Sequence, residues 1–122
     1  MEPYNSEGTT TLAPEVLLTI AQLTTLSVPG VSRLSHLQGV GVNRLIKPGH
    51  YREGVKVEVL DDLVSFDIYV VLKSDFNVRE ISHHIQHEVS RAITDMVGMT
   101  VGSVNIHIED IDYTTSNESI PA

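Results

Sequence analysis

Cysteine and tryptophan are absent from this chain of 122 residues, and aromatic residues make up only 5% of it. Without thiols there is no disulfide framework, zinc–thiolate site, iron–sulfur cluster or sulfur nucleophile. With so few rings, a core must be built from Val, Ile and Leu. Hydrophobic residues supply 41% of the chain, enough for one domain to fold without metals or crosslinks. No apolar run approaches the ~20 residues that span a bilayer. Met1 to Thr11 is polar and acidic and lacks the basic-then-apolar order of a secretory signal. The expectation is a cytoplasmic protein with no direct membrane insertion, peripheral to a membrane only through a partner.

Basic residues are also scarce, eight against sixteen acidic ones, for a net charge of −8. Phosphate binding needs a basic footprint, so this balance disfavours nucleic acid as the main partner. The charge is uneven. From Arg33 to Lys56 there are five basic residues (Arg33, Arg44, Lys47, Arg52, Lys56) against Glu53 alone, a local +4 that leaves −12 elsewhere. Glu109, Asp110, Asp112 and Glu118 form an acidic counterpart near the C-terminus.

Hydrophobic periodicity gives an element order of α-β-β-β-α-β. Residues 1–11 read as a disordered tail, 12–113 as one domain and 114–122 as a flexible C-terminal tail. A first helix runs from near Ala13 to Ser27, with Pro14 and Glu15 suited to its first turn. Val16, Ile20 and Leu23, and Leu17 with Ala21, recur at helical spacing. Pro29 ends it, because the residue before a proline avoids helical geometry. A strand follows over 31–37, then a long loop over 39–53. Val55, Val57 and Val59 alternate with Lys56 and Glu58. The returning strand over 63–72 puts Val64, Phe66, Ile68, Val70 and Leu72 on one face, with Ser65, Asp67, Tyr69 and Val71 on the other. The second helix spans 77–97, with Val78, Ile81, Ile85, Val89, Ala92, Ile93 and Met96 on one stripe. Asn77 or Asp75 caps its start and Gly98 its end. The last strand, 100–111, alternates Val104, Ile106 and Ile108 with Asn105, His107 and Glu109. One-sided strands predict an α/β (α+β) two-layer sandwich. Both helices lie on the apolar face of a mostly antiparallel or mixed sheet.

Several ordered segments carry a resemblance. Ile20-Ala21 runs into Val28-Pro29-Gly30-Val31. Gly54-Val55-Lys56-Val57-Glu58-Val59 is followed by Val64-Ser65-Phe66-Asp67-Ile68-Tyr69-Val70-Val71. Then come Ile85-Gln86-His87-Glu88-Val89, Met96-Val97-Gly98-Met99-Thr100-Val101 and Val104-Asn105-Ile106-His107-Ile108. From Leu12 to Tyr113 this succession resembles the alkaline-shock-protein family of bacterial envelope stress response proteins. The resemblance implies a small cytosolic α/β protein with no established enzymatic activity. Members can collect beneath the membrane through an anchored partner, and some relatives are linked to genes of fatty-acid synthesis. The family has no known catalytic residues, so none is carried over. The loop with Arg44, Lys47, His50 and Arg52 is longer and more basic than the family pattern, and the acidic tail is short. Both leave the partner's identity open.

Several polar residues invite a chemical reading. His83 and His87, four apart on the second helix, share a face and are the candidate metal ligands, with Glu80 nearby. A solvated helix face is the plainer reading, since no third histidine stands at a recognisable spacing. Protonating all six histidines would move the net charge from −8 to −2, which can alter self-association. Gly39-Val40-Gly41 lacks the residues of a phosphate loop, and Asp61-Asp62 reads as a turn. Ser82, His83 and Asp95 do not form a triad, because Ser82 and His83 point about 100° apart on a helix. No motif calls for a cofactor.

The basic loop (Arg44, Lys47, Tyr51, Arg52) and Tyr69 on the outer sheet face are the candidate protein-interaction residues. The function expected is a non-enzymatic adaptor or scaffold of the envelope stress response. It would bind other proteins, including a membrane-anchored partner, or further copies of itself as a homo-oligomer. A regulatory partner of a metabolic enzyme, such as one of fatty-acid synthesis, is the alternative. A histidine-based metal-binding protein is a third.

Overall fold

A computed structural model describes residues 12–35 and 49–113. Helix α1 spans Pro14–Leu26, with proline in its first turn and Glu15 at the positive end of its dipole. At its end, Ser27 N–H donates to the carbonyls of Leu23 (3.2 Å) and Thr24 (3.1 Å). Helix α2 spans Val78–Val97. The Asn77 side chain accepts from Glu80 N–H at 3.1 Å, and Gly98 closes the helix in the left-handed conformation that glycine tolerates.

The sheet contains β1 (Val31–Leu34), β2 (His50–Arg52), β3 (Val55–Leu60), β4 (Leu63–Lys73) and β5 (Thr100–Asp112). β4 is its axis. β5 pairs with it in parallel along the whole of β4, after the crossover through α2 that parallel pairing requires. A strand has two edges, so β3 and β1 share the other one end to end. β3 pairs antiparallel with residues 63–68 and β1 with residues 70–72. β2 lies outside β3. The sheet is therefore mixed, and both helices cover the same face of it, as the one-sided strands predict. α1 packs over β1, β2 and β3, α2 over β5, and the helices on each other.

Val64, Phe66, Ile68, Val70 and Leu72 of β4 are fully buried, together with Val55, Val57, Ile85, Val89 and Ile93. Each such side chain contributes roughly 1.5–3 kcal/mol of hydrophobic stabilisation. The aliphatic core expected from the scarcity of rings is thus present, with Phe66 as its one fully buried aromatic among the described residues.

Several details differ from the sequence-based expectation. The first strand is shorter, Val31–Leu34. The loop expected over 39–53 contains β2, whose three residues are too few to show a period. The core face of α1 is Leu17, Leu18, Ala21 and Thr25, while Val16 and Leu23 are exposed. Met96, Val78 and Val59 also stand exposed near the ends of their elements, where the stripe overruns the layer facing it. Lys56, expected in solvent, is buried. Its stem runs so close to Gly49 that a Cβ there would lie 2.9 Å from Lys56 Cε. Its ammonium stands 5.8 Å from the centre of the Tyr51 ring.

Candidate protein-interaction surface

The sheet face turned away from the helices is built by register. Tyr51 on β2 stands opposite Lys56 on β3, Lys56 opposite Asp67 on β4, and Asp67 opposite Asn105 on β5. Alternation puts all four on the outer face, as one polar row across four strands. Two residues along, Tyr69 stands opposite His107. Parallel pairing of β4 and β5 brings these side chains together. The Tyr69 and His107 rings stack with centroids 4.4 Å apart and planes inclined by 13°. His107 Nε2 lies 3.0 Å from Asp67 Oδ1, and Asn105 Nδ2 donates to the same oxygen at 3.2 Å. The carboxylate therefore orients the imidazole, and the imidazole supports the phenol ring.

The Tyr69 main chain is fixed equally firmly. It sits where β3 and β1 meet on β4. Its N–H donates to Gly54 O and its carbonyl accepts from Ser35 N–H, both at 2.8 Å. The phenol pKa is raised, first by burial and then by the negative charge of Asp67, with Tyr51 and Glu109 adding to it. A stacked, half-buried tyrosine that stays protonated offers a rigid ring and a hydroxyl for docking. At one end of the sheet, Asp112 accepts from Ser32 Oγ at 2.7 Å and lies 3.8 Å from Arg33, tying β5 back to β1.

Of the residues singled out by sequence, Tyr51 and Tyr69 come to this one face. Arg52 does not. Alternation turns it toward α1, where Gln22 Nε2 donates to its carbonyl at 3.1 Å. There it borders a cleft of about 400 Å³ with Glu15 and Leu18. Arg44 and Lys47 lie outside the described residues. His83 and His87 are exposed on α2. Among the described residues no three His, Cys, Asp or Glu side chains are grouped to hold a metal ion. His84 instead faces Glu88 at 3.9 Å, within a surface chain of charges through Arg91 to Asp95. Sequence reasoning missed Asp67, Asn105 and His107 as site members. Alternation puts each on the polar face of its strand, but nothing in it says that β4 and β5 are neighbours.

The model of the alkaline-shock-protein family, described as having a cell envelope-related function, matches residues 2–113. The chain belongs to this family. The resemblance read from the sequence is thereby established over nearly the whole chain. This alkaline-shock-family protein is 26% identical over 113 residues to the uncharacterized protein YqhY of Bacillus subtilis (strain 168), covering 93% of this chain and 84% of that one. It is 25% identical over 113 residues to the uncharacterized protein Spy1614 of Streptococcus pyogenes serotype M6, covering 91% and 93%. Among solved structures it is similar to a variant of MamM-CTD, with a TM-score of 0.51 at 14% identity over 82% of this chain and all of that one. That likeness shows a shared fold. Among the described residues no helix is long and apolar enough to cross a membrane.

Proposed function

We propose that this alkaline-shock-family protein is a non-enzymatic docking protein of the bacterial cell envelope. It acts as an adaptor or scaffold at the cytoplasmic side of the membrane, held there by an anchored partner. The observation that carries this reading is the Tyr69–His107–Asp67 cluster in a sheet face that neither helix covers. Tyrosine is enriched at the centres of interfaces because it supplies large contact area with few rotors. Here its ring is already stacked and its backbone already bonded, so little freedom is lost when a partner arrives. Tyr51 extends the same face, beside the buried Lys56. Arg44, Lys47 and Arg52 are close to Tyr51 in sequence only, and their positive charge suits an acidic surface on the partner.

The test is affinity capture of the full chain from its native cells, followed by mass spectrometry and membrane fractionation. Tyr69→Ala is compared with the unaltered chain, and circular dichroism confirms that both are folded. The expected result is a drop of at least about tenfold in recovery of one partner, with loss of the protein from the membrane fraction. An unchanged partner set and distribution for the folded variant would overturn the reading. Recovery of a soluble metabolic enzyme in place of an envelope protein would keep the docking face and refute the envelope adaptor.

A further inference from the structure

Helix α1 is apolar on two opposite sides. Leu17, Leu18, Ala21 and Thr25 face the sheet and are buried. Val16, Thr19, Leu23 and Leu26 follow steps of three, four and three along the other side. At about 100° per residue they fall within roughly 40° of one line, opposite the buried face. Leu12, just before the helix, extends the series by a step of four. Solvent reaches 39% of Leu12, 41% of Val16, 64% of Leu23 and 46% of Leu26. At one end the stripe continues into an inter-helix groove of about 690 Å³, whose lining includes Val59, Met96 and Met99. A surface helix ordinarily turns charge outward. α1 carries one charged residue in all, Glu15.

We propose that this outer stripe is a self-association face, on which α1 of a second copy docks antiparallel about a two-fold axis near Thr19. Three features favour a second copy. Alternating steps of three and four are the spacing of a helix–helix seam. Read from Thr19, the stripe is nearly symmetric, with Val16 and Leu12 on one side and Leu23 and Leu26 on the other. Antiparallel docking therefore sets Val16 against the partner's Leu23 and Leu12 against the partner's Leu26, an isologous contact. Lastly, each copy carries a net charge of −8, so two copies approach best through a surface almost without charge. The antiparallel sense is favoured because it separates the two Glu15 carboxylates and opposes the helix dipoles.

The stripe offers on the order of 400 Å² of apolar surface per copy, about half of a standard interface. The dimer is therefore reversible and concentration-dependent. Its salt response has a definite sign. Screening weakens repulsion between like-charged copies, so the dimer tightens with salt. A head-to-tail contact of the basic loop with an acidic tail would loosen instead.

Sedimentation of the full chain over about 1–300 µM, at about 50 and 500 mM NaCl, tests this. A monomer–dimer equilibrium that tightens with salt is expected. Leu23→Glu, an exposed change, should raise the dissociation constant at least tenfold, while Tyr69→Ala leaves it unchanged. Because the chain has no cysteine, oxidative crosslinking reads the register directly. A mixture of Val16→Cys and Leu23→Cys should give a heterodisulfide, and Leu23→Cys alone should not self-crosslink. A monomer at every concentration, a dimer indifferent to Leu23→Glu, or self-crosslinking through Leu23→Cys would each overturn the proposal. None of these results bears on docking at the sheet face, whose test is separate.

Discussion

Gly54 joins β2 to β3 with φ at +90°, and the preceding Glu53 also has positive φ, at +28°. Arg52 pairs with Val55, so Glu53-Gly54 is a two-residue hairpin turn of the kind that needs positive φ at both positions. The site is crowded as well. A Cβ on residue 54 would stand 2.8 Å from Leu34 Cβ, 3.0 Å from Ser35 O and 3.2 Å from Tyr69 O. Two of these are main-chain oxygens that cannot rotate aside, and Tyr69 O is held by Ser35 N–H. Gly54→Ala therefore meets two penalties. The left-handed backbone costs about 1–2 kcal/mol, and forced displacement of packed backbone adds about 1–3 kcal/mol. The expected loss is roughly 2–5 kcal/mol, a large part of a typical domain's stability.

Gly98→Ala is the matched control. Gly98 has φ at +79°, but a Cβ there would meet nothing within 4 Å. It should lose only the backbone part, about 1–2 kcal/mol. Urea unfolding followed by circular dichroism separates the two. With a slope of about 1–3 kcal/mol per molar, Gly54→Ala should lower the midpoint by roughly 1–3 M and Gly98→Ala by no more than about half as much. Equal shifts would refute the reasoning, since they would mean that the β1–β3–β4 junction yields to a methyl group without strain.

Thr25 is fully buried in α1, and its hydroxyl has no hydrogen-bond partner among the described residues. Thr25→Val removes that unsatisfied group at constant shape and should stabilise the domain by about 1 kcal/mol, raising Tm by roughly 3–6 °C in calorimetry; a lower Tm would show that the hydroxyl is bonded. The raised pKa of Tyr69 means that the folded chain holds the phenol proton more tightly than the unfolded chain. That stability is fully present below the ordinary tyrosine value of 10.0 and declines as pH rises above it. Tyr69→Phe should make the decline in urea midpoint above that pH shallower, and superimposable pH profiles would count against the assignment.

Much of the fold was legible because β4 and α2 are one-sided. Alternation from Val64 to Leu72 and the step of three or four from Ile81 to Ile93 each leave a single apolar face, so burial follows from the pattern. α1 has two such faces, and periodicity cannot choose between them. The sequence-based choice mixed Leu17 and Ala21, which are buried, with Val16 and Leu23, which are not. β2 was hidden for a different reason. Its three residues are held by pairing to β3 and by the turn at Gly54, neither of which is a periodic signal. The site was half legible. Tyr69 could be placed on a polar face and Tyr51 only in the basic loop, and the neighbours of both depend on register across four strands. A shift of one residue in β5 would turn His107 away from Tyr69.

The two proposed surfaces lie on opposite layers, and this arrangement has a mechanical consequence. A two-fold contact through the helix layer leaves the two sheet faces turned away from each other. Each dimer then presents two identical docking faces on a rigid body. Against a single soluble partner this changes little. Because the two faces point apart, both are engaged at once only where the anchors' cytoplasmic segments reach around the dimer; there the second docking event is intramolecular, and avidity can exceed a single contact by on the order of 10²–10⁴. A modest contact centred on Tyr69 then suffices for recruitment where anchors are dense. On this reading, the protein's distribution responds to anchor density more steeply than the affinity of one contact would give.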